Sequence, residues 1–157
     1  MITDNLLRFS GSTSAGTQTG QTVTGTDTSV VSTNVIDLAP KTSRDIGEGE
    51  DLYVNFAVST AFSGGTSVTF IVETSDAEAF GSGVVTIGTS GAVAIASLTA
   101  GTNIPVRINP QWASVGKRYV RCKYTTVGAV TAGAVFADMV HGIQDGKKFY
   151  ASGFTVG

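Results

Sequence analysis

The chain has 157 residues, the length of one domain, and a chain this size buries roughly 70% of its unfolded surface, enough for a core without disulfides or metal. With 20 Gly, 22 Thr, 15 Ser, only 3 Pro and 41% hydrophobic against 14% charged residues, it has the composition of a turn-rich β protein and not of a disordered one. A net charge of −2 with scattered Lys and Arg excludes a nucleic-acid footprint, one Cys and one His exclude disulfide frameworks and multi-His metal sites, and no apolar run of about 18 residues predicts a membrane span.

The opening MITDNLLRFS has neither a basic start nor an apolar core, which predicts no signal peptide and a protein that works where it is made or in something assembled there. Of residues 10–29, 15 are Gly, Ser or Thr and only Val23 is large and apolar. Such a segment buries too little to offset its ordering entropy, so residues 1–29 are expected to form an N-terminal segment and flexible arm. It reads either as a linker or as an arm that orders on a neighbour. Alternating Thr22, Thr24, Thr26 and Thr28 suit strand pairing.

Residues 30–141 read as strands. The first covers residues 31–38 and ends at Pro40. Leu52, Val54, Phe56 and Val58 alternate with polar or small residues; after a turn at Ser63, Gly64 and Gly65, Val68, Phe70 and Val72 do the same. A loop at 75–83 precedes short strands at 84–87 and 92–98 with a turn between them at 88–91, and residues 76–80 hold one helical turn at most. Ile104, Val106 and Ile108 alternate up to Pro110. Val120, Cys122 and Tyr124 face opposite to Tyr119, Arg121 and Lys123, and the last run spans 134–141. Seven to nine strands and no helical period predict an all-β fold: an antiparallel, jelly-roll-like β-sandwich of about eight strands with an extended N-terminal arm. Phe149, Tyr150, Phe154 and Val156 in the tail, 142–157, are expected to pack on their own or a neighbouring subunit.

Chemistry-bearing motifs are sparse. Asp45, Glu48, Glu50 and Asp51 admit a calcium loop, an acid/base pair or a solvated turn, and the turn is favoured. His141 reads as a strand-end residue and Cys122 as a small buried hydrophobe; no nucleophile elbow or phosphate-cradling glycine motif occurs. No catalytic residue, cofactor or metal is therefore expected. Residues 101–157 carry seven Lys and Arg against Asp138 and Asp145, a balance of +5, which leaves −7 for the rest. This half either docks on an acidic partner or carries ordinary protected strand edges.

Six motifs occur in order: residues 1–10, STNVIDL at 32–38, RDIGEGEDLYV at 44–54, TAFSGGTSVTFIVETSD at 60–76, RYVRCKYT at 118–125 and SGFTVG at 152–157. Together they resemble the capsid cement, or decoration, proteins of tailed bacteriophages, of the type first described in a short-tailed phage. The resemblance departs at residues 11–31, where a shorter connection is expected. It implies a non-enzymatic virion protein made in the bacterial cytoplasm. That protein would sit on the outer capsid surface, with the major capsid protein and itself as partners, as a homodimer in preference to a trimer, and with no nucleic acid or membrane. Expected contact residues are Thr22, Thr24, Thr26, Arg118, Arg121, Lys147, Lys148, Phe149, Tyr150 and Phe154. The alternative reading is a carbohydrate-binding β-sandwich of a tail or adhesion protein, resting on Trp112 in a loop. A metal-dependent cupin-like enzyme is a third, disfavoured by the single His.

Overall fold

The computed structural model describes residues 5–38, 51–108 and 117–142. After a 3-10 turn at Asn5–Leu7, thirteen strand segments follow: β1 (Arg8–Ser10), β2 (Ser12–Ser14), β3 (Thr17–Thr19), β4 (Gln21–Thr22), β5 (Gly25–Thr26), β6 (Ser29–Val31), β7 (Ile36–Asp37), β8 (Tyr53–Gly64), β9 (Ser67–Ser75), β10 (Val85–Ala94), β11 (Asn103–Arg107), β12 (Tyr119–Val127) and β13 (Ala129–Val140).

One sheet runs β1-β13-β8-β11, with β4 and β5 also paired to β13; the other runs β10-β9-β12-β6, with β7 also paired to β12. All of these pairs are antiparallel. If β1, β4 and β5 are taken as one broken edge strand and β6 with β7 as another, the order is that of a jelly roll: two four-stranded sheets whose hairpins cross from sheet to sheet. The expected antiparallel sandwich is the fold observed.

The core follows from strand alternation. Val54, Phe56, Val58 and Phe62 of β8 face Val68, Phe70 and Val72 of β9, with Val120, Cys122 and Tyr124 of β12 beside them; all are buried. Phe56, Phe70 and Tyr124 form an aromatic triangle with centroids 5.1 to 5.8 Å apart, and Phe62 meets Phe70 edge-on at 6.5 Å. Tilted and edge-to-face rings let each positive rim meet a negative face. The Tyr124 hydroxyl would be a costly buried polar group, and the Ser10 hydroxyl satisfies it at 2.5 Å. Burial pushes the Tyr124 phenol well above its ordinary pKa.

The reading of residues 10–29 as a free arm is corrected. The segment is folded onto the sandwich because its few anchors reach the core: Phe9 and Val23 are fully buried. Val23 donates its N–H to the Gly133 carbonyl at 2.9 Å, and β4 and β5 pair with β13. At Asp27, where φ is +47°, the chain turns toward the other sheet, and the Asp27 carboxylate accepts the Gly128 N–H at 2.8 Å. Gly128 is the corner between β12 and β13. The N-terminal segment thus bends where its partner hairpin bends. Sequence composition understated this because backbone pairing needs no large side chains.

Two smaller expectations also change. Residues 84–98 form one strand over Val85–Ala94, not two strands and a turn; its irregularities at Gly88 and between Thr89 and Ala92 are bulges, and Ser90 accepts the Phe70 N–H across the second. The expected strand at 31–38 is split into β6 and β7.

Truncating Val23 tests the corrected fold. Val23→Ala is expected to lower unfolding free energy by about 2 kcal/mol in urea melts; an unchanged midpoint would mean that the segment is not part of the core.

Candidate interaction surface

Three polar features lie on or beside the sheets: the N-terminal limb, a set of cross-strand ion pairs, and a projecting hairpin. On the limb, Thr22 stands opposite Ala134 and Thr26 opposite Ala129, and both are exposed. Thr24, between them, is half-buried. Thr22 and Thr26 therefore lie along the edge of β13, and Val23 between them is held in the core.

Arg118 and Arg121 are not presented to solvent as unpaired charges. Arg118 donates from Nε and Nη2 to the two Asp37 oxygens, both at 2.7 Å, and lies 4.9 Å over the Tyr119 ring. Those hydrogen bonds push its pKa further up. Arg121 donates to Glu73 at 3.0 and 3.1 Å and stacks 4.1 Å over Phe80. Lys123 closes on the other Glu73 oxygen. Glu73 is only 2% exposed, and the register of β12 on β9 sets Arg121 directly across from it. Lys117 pairs with Asp76, and Arg107 with Asp51 at 2.5 Å.

These pairs settle the charge asymmetry. Each described Lys and Arg of the second half meets a carboxylate of the first half. Arg107, Lys117, Arg118, Arg121 and Lys123 are thus all paired within the chain. The exposed pairs add little stability and are screened by salt; the pairs on Glu73, largely removed from water, hold β9 to β12.

The most buried ion pair was not anticipated. Arg8 Nε donates to Asp138 Oδ1 at 2.8 Å with both side chains 6% exposed; Arg8 also donates to Thr13 Oγ1 at 2.9 Å and lies 5.3 Å over the Phe136 ring. The sequence held a signal for it, an aspartate inside the apolar run 134–141, with Arg8 alone among the first 40 residues in carrying a positive charge. Burial pushes the Asp138 carboxyl up, and Arg8 offsets that shift only in part.

Beside this pair the hairpin of β2 and β3 leaves the sandwich edge. Ser12 pairs with Thr19, Thr13 with Gln18 and Ser14 with Thr17, all exposed. Ala15 and Gly16 turn the chain with φ of +48° and +80°, the two left-handed residues of a type I′ turn. At its base, a Cβ on Gly11 would lie 2.3 Å from the Phe136 ring, and one on Gly20 would lie 2.1 Å from Ser59 Oγ. Glycine lets both feet of the hairpin sit against the sheet.

Other expected residues are quickly placed. Cys122 is fully buried in the core, and burial pushes its thiol pKa well up. His141 is exposed just past β13. Asp45, Glu48, Glu50, Trp112, Lys147, Lys148, Phe149, Tyr150 and Phe154 lie outside the described residues. Among the described residues, no three His, Cys, Asp or Glu side chains are grouped to hold a metal ion, and no helix is long and apolar enough to cross a membrane.

The Bbp16 family model matches residues 17–139, most of the sandwich. The chain belongs to the Bbp16 family. No curated protein matches it. The matched span runs from β3 almost to the end of β13, and so takes in β4 to β7 with the central strands but not β1 or β2.

Two outcomes test the buried pair. Arg8→Met strands a carboxylate and is expected to cost about 3 kcal/mol in urea melts. Because Asp138 holds its proton more tightly when folded than when unfolded, it adds stability below the ordinary carboxylate range, and this is lost as pH rises through its folded value. Asp138→Asn keeps an acceptor for Arg8 and removes the titration. The stability of the native chain relative to this variant should therefore fall as pH rises from below the ordinary carboxylate range to above it; a rise with pH would contradict the assignment.

Proposed function

We propose that the protein is a capsid cement protein that binds the outside of a tailed-phage shell across capsomer seams and stabilises it. The observation that carries this reading is the ordered set of six motifs, spread over nearly the whole chain, that resemble the cement-protein family. The jelly-roll sandwich adds support, since that is the fold the resemblance implies. The proposed partners are the major capsid protein and a second copy of the chain, and the proposed location is the virion surface.

The role asks for adhesion, not catalysis. A shell filled with DNA is pushed outward, and a protein that spans its seams opposes the pressure through contact area and copy number. Modest interfaces become strong when many are engaged at once. A cement protein must also stay folded under load, and this sandwich is held by a continuous aromatic core and by cross-strand ion pairs.

In this reading the charged side chains of β12 are occupied internally, which leaves backbone and hydroxyl groups of the limb at Thr22, Thr24 and Thr26, together with the hairpin, as the elements offered to a neighbour. Contacts of that kind depend on strand geometry more than on side-chain identity.

Co-sedimentation of the purified protein with expanded shells that lack it tests the proposal. Saturation at a fixed number of copies compatible with the shell symmetry is the expected result, and shells so decorated should resist heating better than bare ones. Absence of binding to such shells would overturn the cement role.

A further inference from the structure

We infer that the chain pairs with a second copy of itself through the outer edge of β3, Thr17-Gln18-Thr19, which lies antiparallel to the same strand of the partner with Gln18 on the twofold axis. The inference supplies an interface for the homodimer of the proposed function, and it rests on the hairpin alone.

Four observations lead to it. The β2–β3 hairpin forms its own two-stranded sheet, and no other described strand pairs with it. A lone two-stranded ribbon is marginal in water, so a third and fourth strand would stabilise it. In a hairpin closed by a two-residue turn, the middle of three pairs is non-hydrogen-bonded. The backbone N–H and C=O of Thr13 and Gln18 therefore point outward, one residue on each edge.

The edge is also undefended. Exposed edges usually carry Lys, Pro or a bulge to prevent pairing, yet no charged residue and no proline lies between Phe9 and Thr26. Self-pairing requires an edge compatible with itself, because a charge near a twofold axis meets its own like charge. This edge is neutral throughout.

The sequence of the edge is palindromic. Antiparallel pairing centred on Gln18 sets Thr17 opposite the partner's Thr19 and Thr19 opposite the partner's Thr17, which are favourable cross-strand hydroxyl pairs. Gln18 exchanges both of its outward backbone hydrogen bonds with its own copy. The strand β2 is palindromic too, Ser12-Thr13-Ser14, but Arg8, whose guanidinium donates to Thr13 Oγ1, would meet its own like charge across a twofold axis centred there, which leaves β3 as the edge that pairs. Gly11 and Gly20, seated on the sheet, and the Arg8 bond to Thr13 hold the hairpin at a fixed position on the sandwich.

The test uses the purified full-length chain without shells, so its failure and a failure of shell binding are separate results. Sedimentation velocity over a concentration series should show a monomer–dimer equilibrium. Gln18→Pro removes the outward N–H without touching a hairpin hydrogen bond, and it should leave the chain folded and monomeric. Gln18→Lys should weaken dimerisation about tenfold at low salt, the effect of one like-charge pair, and recover at high salt.

Under mild oxidation Gln18→Cys should give a covalent dimer and Ser14→Cys should not, with Cys122 shielded in the core in both. A chain that remains monomeric up to about 1 mM overturns the inference. So does a dimer indifferent to both Gln18→Pro and Gln18→Lys, or equal cross-linking at positions 14 and 18.

Discussion

The structure depends on one constraint: β12 and β13 each leave one long edge to be paired, and a single N-terminal segment pairs both. β12 and β13 each present one edge to a central strand and the other to this segment. Its first limb runs along β13 and its second along β12, with Asp27 matched to Gly128 at the bend. The limbs are then tied across the gap between sheets. Asn34 donates its N–H to the Phe9 carbonyl, and the Gln21 side chain donates to the Val31 carbonyl and accepts the Thr33 N–H. A side-chain amide here does the work of a backbone rung, satisfying groups that an irregular strand leaves open.

From this closure follow the other features. Phe9 and Val23 enter the core only because the limb passes over it, and Ser10 meets the Tyr124 hydroxyl for the same reason. The Arg8–Asp138 pair fastens the start of the limb, and the hairpin of β2 and β3 is an insertion where the limb leaves and rejoins β13. The ion pairs on Glu73 serve the opposite sheet in the same manner, locking the neighbouring strands β9 and β12. For the proposed role in a shell, this leaves the described backbone edges and hydroxyls as the proposed contacts. Attachment by backbone edges and hydroxyls would be less sensitive to salt than attachment by a basic patch.

Much of the fold was legible in the sequence. Period-two alternation at 52–58, 68–72 and 119–124 marks the central strands, and their side chains occupy the core as the pattern requires. The edge pieces within residues 10–29 were not legible, for a physical reason. Residues 10–29 hold almost no apolar side chains, and a composition argument sees only side chains, while pairing to β13 is a backbone matter. The bulged β10 misled because Gly88 and Gly91 resemble a turn when read locally. An excess of Lys and Arg in one half is visible in the sequence, but their partners on β7, on β9 and beyond it appear only once register is fixed. Asp138 was legible in principle, as a lone acid in an apolar run.

Native-state hydrogen exchange tests the closure most directly. If the N-terminal limbs are integral strands, the amides of Val23 and Ser32, bonded to Gly133 and Cys122, will open only with global unfolding, at the same free energy as the amides of Val58 and Phe62 in β8. Exchange of Val23 and Ser32 orders of magnitude faster than those core amides would show a segment that detaches on its own, and would contradict the account.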